Sequence, residues 1–95
     1  MPAYDVREER AMYQYYFVFN SVTNAQQALL ALHNSGVGAV LSSAPGIHFS
    51  KGCAYAVRVK GHEAHFAASV LRSAEVSHRY VLRAKNDGTV EEVVL

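Results

Sequence analysis

Two short stretches of this chain carry the same helical signature, and strand-like runs surround both. Ala25, Ala28, Leu29 and Leu32 fall at i, i+3, i+4 and i+7, and Ala64, Ala67, Ala68 and Leu71 repeat that spacing. At 3.6 residues per turn each set lies on one face of a helix. A helix with a single apolar face must bury it against another layer, and here the remaining runs are strands.

Residues 12–20 alternate as a strand. Tyr13, Tyr15, Phe17 and Phe19 point one way, and Gln14, Tyr16, Val18 and Asn20 the other. The second set is half apolar, which predicts a central strand. Ser21-Val22-Thr23-Asn24 offers helix caps, Thr23 and Gln26 having capping-box spacing, and the first helix is expected to follow and run to about residue 34, with Gly36 as its stop. Residues 37–43 and 54–60 are the next strands, with Tyr55, Val57 and Val59 inward and Arg58 and Lys60 outward. A second helix is expected over 62–74 and a fourth strand over 77–83. Residues 84–95 read as a turn at Asn86-Asp87-Gly88 followed by a segment that either adds a short edge strand or stays loose, and residues 1–11 as a polar tail or edge arm.

The predicted order is strand, helix, strand, strand, helix, strand. This is an α+β, ferredoxin-like βαββαβ sandwich, an antiparallel sheet with two helices on one face. With 95 residues the chain forms one domain spanning 1–95. Its composition, 51% hydrophobic and 18% charged, is that of a folded chain and excludes intrinsic disorder. A net charge of +1 provides no pull toward nucleic acid or an anionic membrane. No apolar run approaches the ~20 residues that span a bilayer. The first residues lack the basic and apolar regions of a signal peptide. One cysteine makes no intrachain disulfide. The expected location is the cytoplasm.

That cysteine, Cys53, is the residue most suggestive of chemistry. It ends the run Pro45-Gly46-Ile47-His48-Phe49-Ser50-Lys51-Gly52 and stands just before a strand. In the usual ferredoxin-like strand order, 4-1-3-2, the start of strand 3 lies beside the end of strand 1. Cys53 is then expected near Asn20, Ser21 and Thr23, at the start of the first helix. Free N–H groups and a partial positive charge at a helix start stabilise a thiolate. Lys51 and His48, with Ser50, Gly52, Ser21 and Thr23, complete the expected thiolate-stabilising set.

The run Tyr16-Phe17-Val18-Phe19, Ser21, Ala25, Ala28-Leu29-Leu30, Gly36-Val37, Pro45, Ser50, Gly52-Cys53 and Ala56-Val57-Arg58-Val59 resembles the selenium/sulfur carrier protein-like family, small bacterial domains. The resemblance spans roughly residues 13–82. It departs at Ala54, where the family favours glycine. The resemblance implies a carrier or accessory protein rather than a self-sufficient enzyme. Cys53 would hold sulfur or selenium as a persulfide or selenopersulfide between a donor and an acceptor protein, without cofactor or metal.

Other readings compete. Hydrolysis by Cys53 and His48 lacks an acidic group to orient the base. His62 and His65 have i, i+3 spacing, but a metal needs three or four ligands, so two solvated histidines are expected. The strand aromatics suggest RNA stacking, yet the Lys/Arg-Gly-Phe/Tyr motif and a basic surplus are absent. From a different class, the alternative function is a non-catalytic interaction or regulatory module that forms a homo-oligomer through its half-apolar sheet face, Tyr16 and Val18 included.

Overall fold

The computed structural model describes residues 13–43, 55–85 and 88–95. The elements are β1 (Tyr13–Phe19), α1 (Val22–Asn34), β2 (Val40–Ser43), β3 (Tyr55–Lys60), a 3-10 turn (Gly61–Glu63), α2 (Ala64–Ser73), β4 (Tyr80–Lys85) and β5 (Val90–Val93). They form an α+β fold with a five-stranded sheet in the order β2-β3-β1-β4-β5, antiparallel throughout. The expected sheet had four strands. The fifth, β5, lengthens it at the β4 edge, so strand count and order depart from a four-stranded βαββαβ sheet.

The central place of β1 follows from its two apolar sides. Phe17 and Phe19 face the helices and Val18 faces away, and all three have no exposed surface. The helical stripes pack as their spacing predicts. Ala25, Ala28 and Leu32 of α1 and Ala64, Ala67, Ala68 and Leu71 of α2 share one core with Tyr15, Phe17, Phe19, Val57, Val59 and Val81. Both helices therefore lie on the same sheet face. Alanine lets them approach closely while Leu32 and Leu71 fill the space between helix and strand.

The opposite face has a small core of its own. Val18, Ala56 and Leu82 are fully buried there, with Tyr16, Tyr80 and Val90 packed around them. The expectation that Val18 would stand uncovered in a single chain is thus corrected: cross-strand neighbours at Ala56 and Tyr80 flank it. Tyr55, expected inward, is 42% exposed because it begins β3 at the rim of the sheet.

The element boundaries depart from expectation for identifiable reasons. The cap of α1 is Ser21, not Thr23. The β1 ladder runs to Phe19, paired with Tyr55, which leaves only Asn20 before the chain turns. Ser21 is extended (φ −141°, ψ 156°) and its Oγ accepts from the Asn24 N–H at 3.2 Å. Thr23 then lies inside the first turn, exposed. Strands β2 and β4 start three residues later than predicted, at Val40 and Tyr80. The residues before them turn back on the preceding helix. Val37 N–H donates to the Leu32 carbonyl at 2.9 Å, and Val76 N–H to the Leu71 carbonyl at 3.0 Å. His33 Nε2 donates to the Ala39 carbonyl at 2.7 Å. Backbone groups used in this way are not free for a sheet ladder. The second helix begins with the 3-10 turn, and β4 runs on to Lys85.

Of the two outcomes open for the C-terminal segment, the edge strand is the one formed, as β5. Val93 and Leu95 pack on the helix-side core, and the Arg83 guanidinium bonds Glu91 while lying over the Tyr13 ring, 4.9 Å from its centroid. Among the described residues, no helix is long and apolar enough to cross a membrane. The tail at 1–11 and the turn residues Asn86 and Asp87 lie outside the described residues.

Candidate functional site

One end of the sheet collects the groups with chemical potential. The end of β1, the starts of β3 and β4, the start of α1 and the end of α2 all meet there, as the registers Phe19–Tyr55 and Val18–Tyr80 require. Arg79 N–H closes the corner by donating to the Val18 carbonyl at 2.7 Å.

On the β3 side stands the start of α1. Ser21 satisfies the Asn24 N–H, and the first helical bond runs from Ala25 N–H to the Ser21 carbonyl at 3.1 Å. The Val22 and Thr23 N–H groups precede that first bond and have no intrahelical acceptor. This turn contains no acidic residue, so its partial positive charge is not offset locally. It is an anion-favouring end. Of the predicted site residues, Ser21 and Thr23 are at this turn, Ser21 as its cap and Thr23 on its exposed side. Cys53, Lys51, His48, Ser50 and Gly52 lie outside the described residues.

On the β4 side stand His78 and Arg72. The His78 ring packs edge-on against Phe17 (centroids 5.3 Å, 84°) and Phe19 (6.5 Å, 81°). His78 is exposed overall, but partial burial of its ring lowers its pKa below the usual histidine value, and the Arg72 guanidinium nearby adds to the effect. The imidazole is therefore neutral at neutral pH and able to accept a proton. Residues flanking β1 on its two sides are separated by two strand spacings, about 10 Å.

Sequence reasoning passed over His78 and Arg72. The signal was available, because the topological argument that brings the start of strand 3 to the end of strand 1 applies equally to strand 4. His62 and His65 are both exposed, and among the described residues no group of three or more His, Cys, Asp or Glu side chains is placed to hold a metal.

Compared with known proteins, the chain matches no family model, and no curated protein or solved structure is significantly similar to it.

Proposed function

We propose that this chain is a ferredoxin-like thiol carrier or accessory protein in sulfur or selenium transfer in the cytoplasm, with Cys53 holding the transferred atom. The register of β1 against β3 is the observation that carries the reading. It pairs Phe19 with Tyr55, so the strand that follows Cys53 in the chain starts at the sheet end where Ser21 caps α1. Only Ala54 separates Cys53 from Tyr55, so two residue steps, at most about 7 Å of chain, join them. The open first turn of α1 favours a thiolate within that reach. Lys51 and His48 would add positive charge, and Ser50, Gly52, Ser21 and Thr23 would add hydrogen bonds or room. The sequence resemblance to the selenium/sulfur carrier protein-like family supports the same reading.

The step is an exchange without net oxidation. The Cys53 thiolate attacks the outer sulfur of a donor protein's persulfide. The donor's S–S bond breaks, the donor leaves as a thiolate, and Cys53 carries the new persulfide. An acceptor thiolate repeats the exchange in the other direction.

Incubation with a persulfide-generating cysteine desulfurase, followed by intact-mass and peptide analysis, tests the proposal. One added sulfur mapped to Cys53, lost on reduction and absent from Cys53→Ser, is the expected result. A protein that gains no sulfur, or whose thiol alkylates with the pH profile of an unperturbed cysteine, overturns it. The interaction-module reading would then stand in its place, since a module keeps its fold and partner binding without Cys53.

A further inference from the structure

The two edges of the sheet are protected differently. An edge strand turns the N–H and C=O groups of alternate residues away from its single neighbour, toward whatever can pair with them. Both edge strands, β2 and β5, are four residues long, so length does not distinguish them. Charge does. β5 carries Glu91 and Glu92, and Glu91 is held by Arg83. Charged side chains of this kind keep a further strand from adding to an edge. β2, Val40-Leu41-Ser42-Ser43, has none. Its ladder is with β3, and among the described residues its one other hydrogen bond runs from the Ser42 hydroxyl to the Ser43 carbonyl at 3.2 Å. Val40 and Leu41, on opposite faces of the strand, are 48% and 40% exposed.

The lack of charge extends well beyond β2. No Asp, Glu, Lys or Arg stands between Arg10 and Lys51, in a chain with 9 basic and 8 acidic residues. With His33 neutral, α1 is therefore a surface helix without a formal charge, whereas the solvent side of such a helix ordinarily carries several. It exposes Leu30 at 62% and Val22 at 38%. α1 packs over β2 and β3, and the His33 bond to the Ala39 carbonyl ties its end to the start of β2. The open edge and the helix beside it thus form one charge-free side of the molecule.

This combination selects the partner. A partner of different sequence can be matched by complementary charges. A second copy related by a two-fold axis meets itself, so each charge near the axis faces its own like. A side with neither sign of charge is the one that such an axis tolerates without repulsion. We propose that two copies of this chain pair antiparallel through β2, edge to edge, joining their sheets into one continuous sheet with α1 of each copy beside the seam. This interface is separate from the sheet face that holds Tyr16 and Val18, and it does not depend on Cys53.

Sedimentation velocity of the full chain across the micromolar range is expected to show a dimer that dissociates on dilution. Nuclear Overhauser contacts between a labelled and an unlabelled copy are expected within residues 40–43. Leu41→Lys and Val40→Lys set like charges across the axis, and each is expected to weaken the dimer by about tenfold or more while the circular dichroism stays that of the parent. Leu41→Glu is expected to do the same alone. An equimolar mixture of Leu41→Lys and Leu41→Glu is expected to recover a dimer, which a merely structural role of Leu41 would not give. Val94→Lys, just beyond β5 at the opposite edge and at a residue 96% exposed, is expected to leave the dimer unchanged. A monomer throughout that range overturns the proposal, whether the β2 amides exchange freely or are protected by another segment of the same chain. So does a dimer whose contacts fall on Tyr16 and Tyr80, or one that both lysine variants leave intact.

Discussion

Glu75 occupies in α2 the position that Gly36 occupies in α1. Each is the first residue beyond the helix cap, and each is left-handed, at φ 58° and 84° respectively. The bonds around them match. Gly36 N–H donates to the His33 carbonyl and Val37 N–H to Leu32, while Glu75 N–H donates to Arg72 and Val76 N–H to Leu71. Both ends are Schellman motifs with a valine folded back toward the core. In the sequence they read Leu32-His33-Asn34-Ser35-Gly36-Val37 and Leu71-Arg72-Ser73-Ala74-Glu75-Val76.

Exchange of the two residue types should therefore have opposite effects. Glu75→Gly is expected to stabilise the fold by about 0.5–1 kcal/mol, the relief of left-handed strain less the entropy of a new glycine. Gly36→Ala is expected to destabilise it by about 1 kcal/mol. An added Cβ at Gly36 meets nothing within 4 Å, so the loss there comes from the backbone alone. Urea unfolding of both variants measures the pair.

The two capping candidates are separable in the same way. Ser21→Ala removes the acceptor of the Asn24 N–H and should cost about 1 kcal/mol. Thr23→Ala, on the exposed side of the first turn, should stay within about 0.5 kcal/mol of the parent. Equal losses in chemical denaturation would contradict the assignment of Ser21 as the cap.

His78 should make stability depend on pH in one direction. Its folded pKa is lowered by burial of the ring and by Arg72, while the unfolded value stays near 6.5. The unfolded chain then binds more protons in the window below that value. Stability is expected to be complete above about pH 6.5 and to fall as pH drops through the folded pKa. Arg72→Gln should move the His78 titration, followed by NMR, part of the way back up.

The second small core should contribute to stability within a single chain. Leu82 is fully buried on the face away from the helices. Leu82→Ala is expected to cost about 2–5 kcal/mol. The loss should be the same at low and high protein concentration, because neighbours in the same chain bury Leu82. A loss that appears only at high concentration would instead mean that a second copy covers that face.

Much of the fold was legible because periodicity is local. The spacing of Ala25, Ala28 and Leu32, and of Ala64, Ala67, Ala68 and Leu71, forces one buried face per helix wherever the helix sits. The alternation of Tyr15, Phe17 and Phe19 around a buried Val18 could only suit a strand with neighbours on both sides. Of the candidate site, the anion-favouring start of α1 and Ser21 were legible, since a cap is written in a few consecutive residues. His78 and Arg72 have no local signature, and only the expected strand order, which sets the start of strand 4 beside the end of strand 1, points to that corner. They acquire a role only when β4 pairs with β1 and sets the histidine ring against Phe17 and Phe19.

The sequence by itself determined the elements, their order and the inward side of each, because those follow from patterns of period 2 and 3.6 within one segment. Tertiary structure alone decided where the strands begin, that β5 extends the sheet, that Val18 is covered, and that Glu75 must take a left-handed backbone. Each of those depends on which backbone N–H finds which carbonyl across the fold. The Val76 N–H taken by Leu71 delays β4, and the Arg79 N–H taken by Val18 then sets the corner where His78 and Arg72 meet the end of β1.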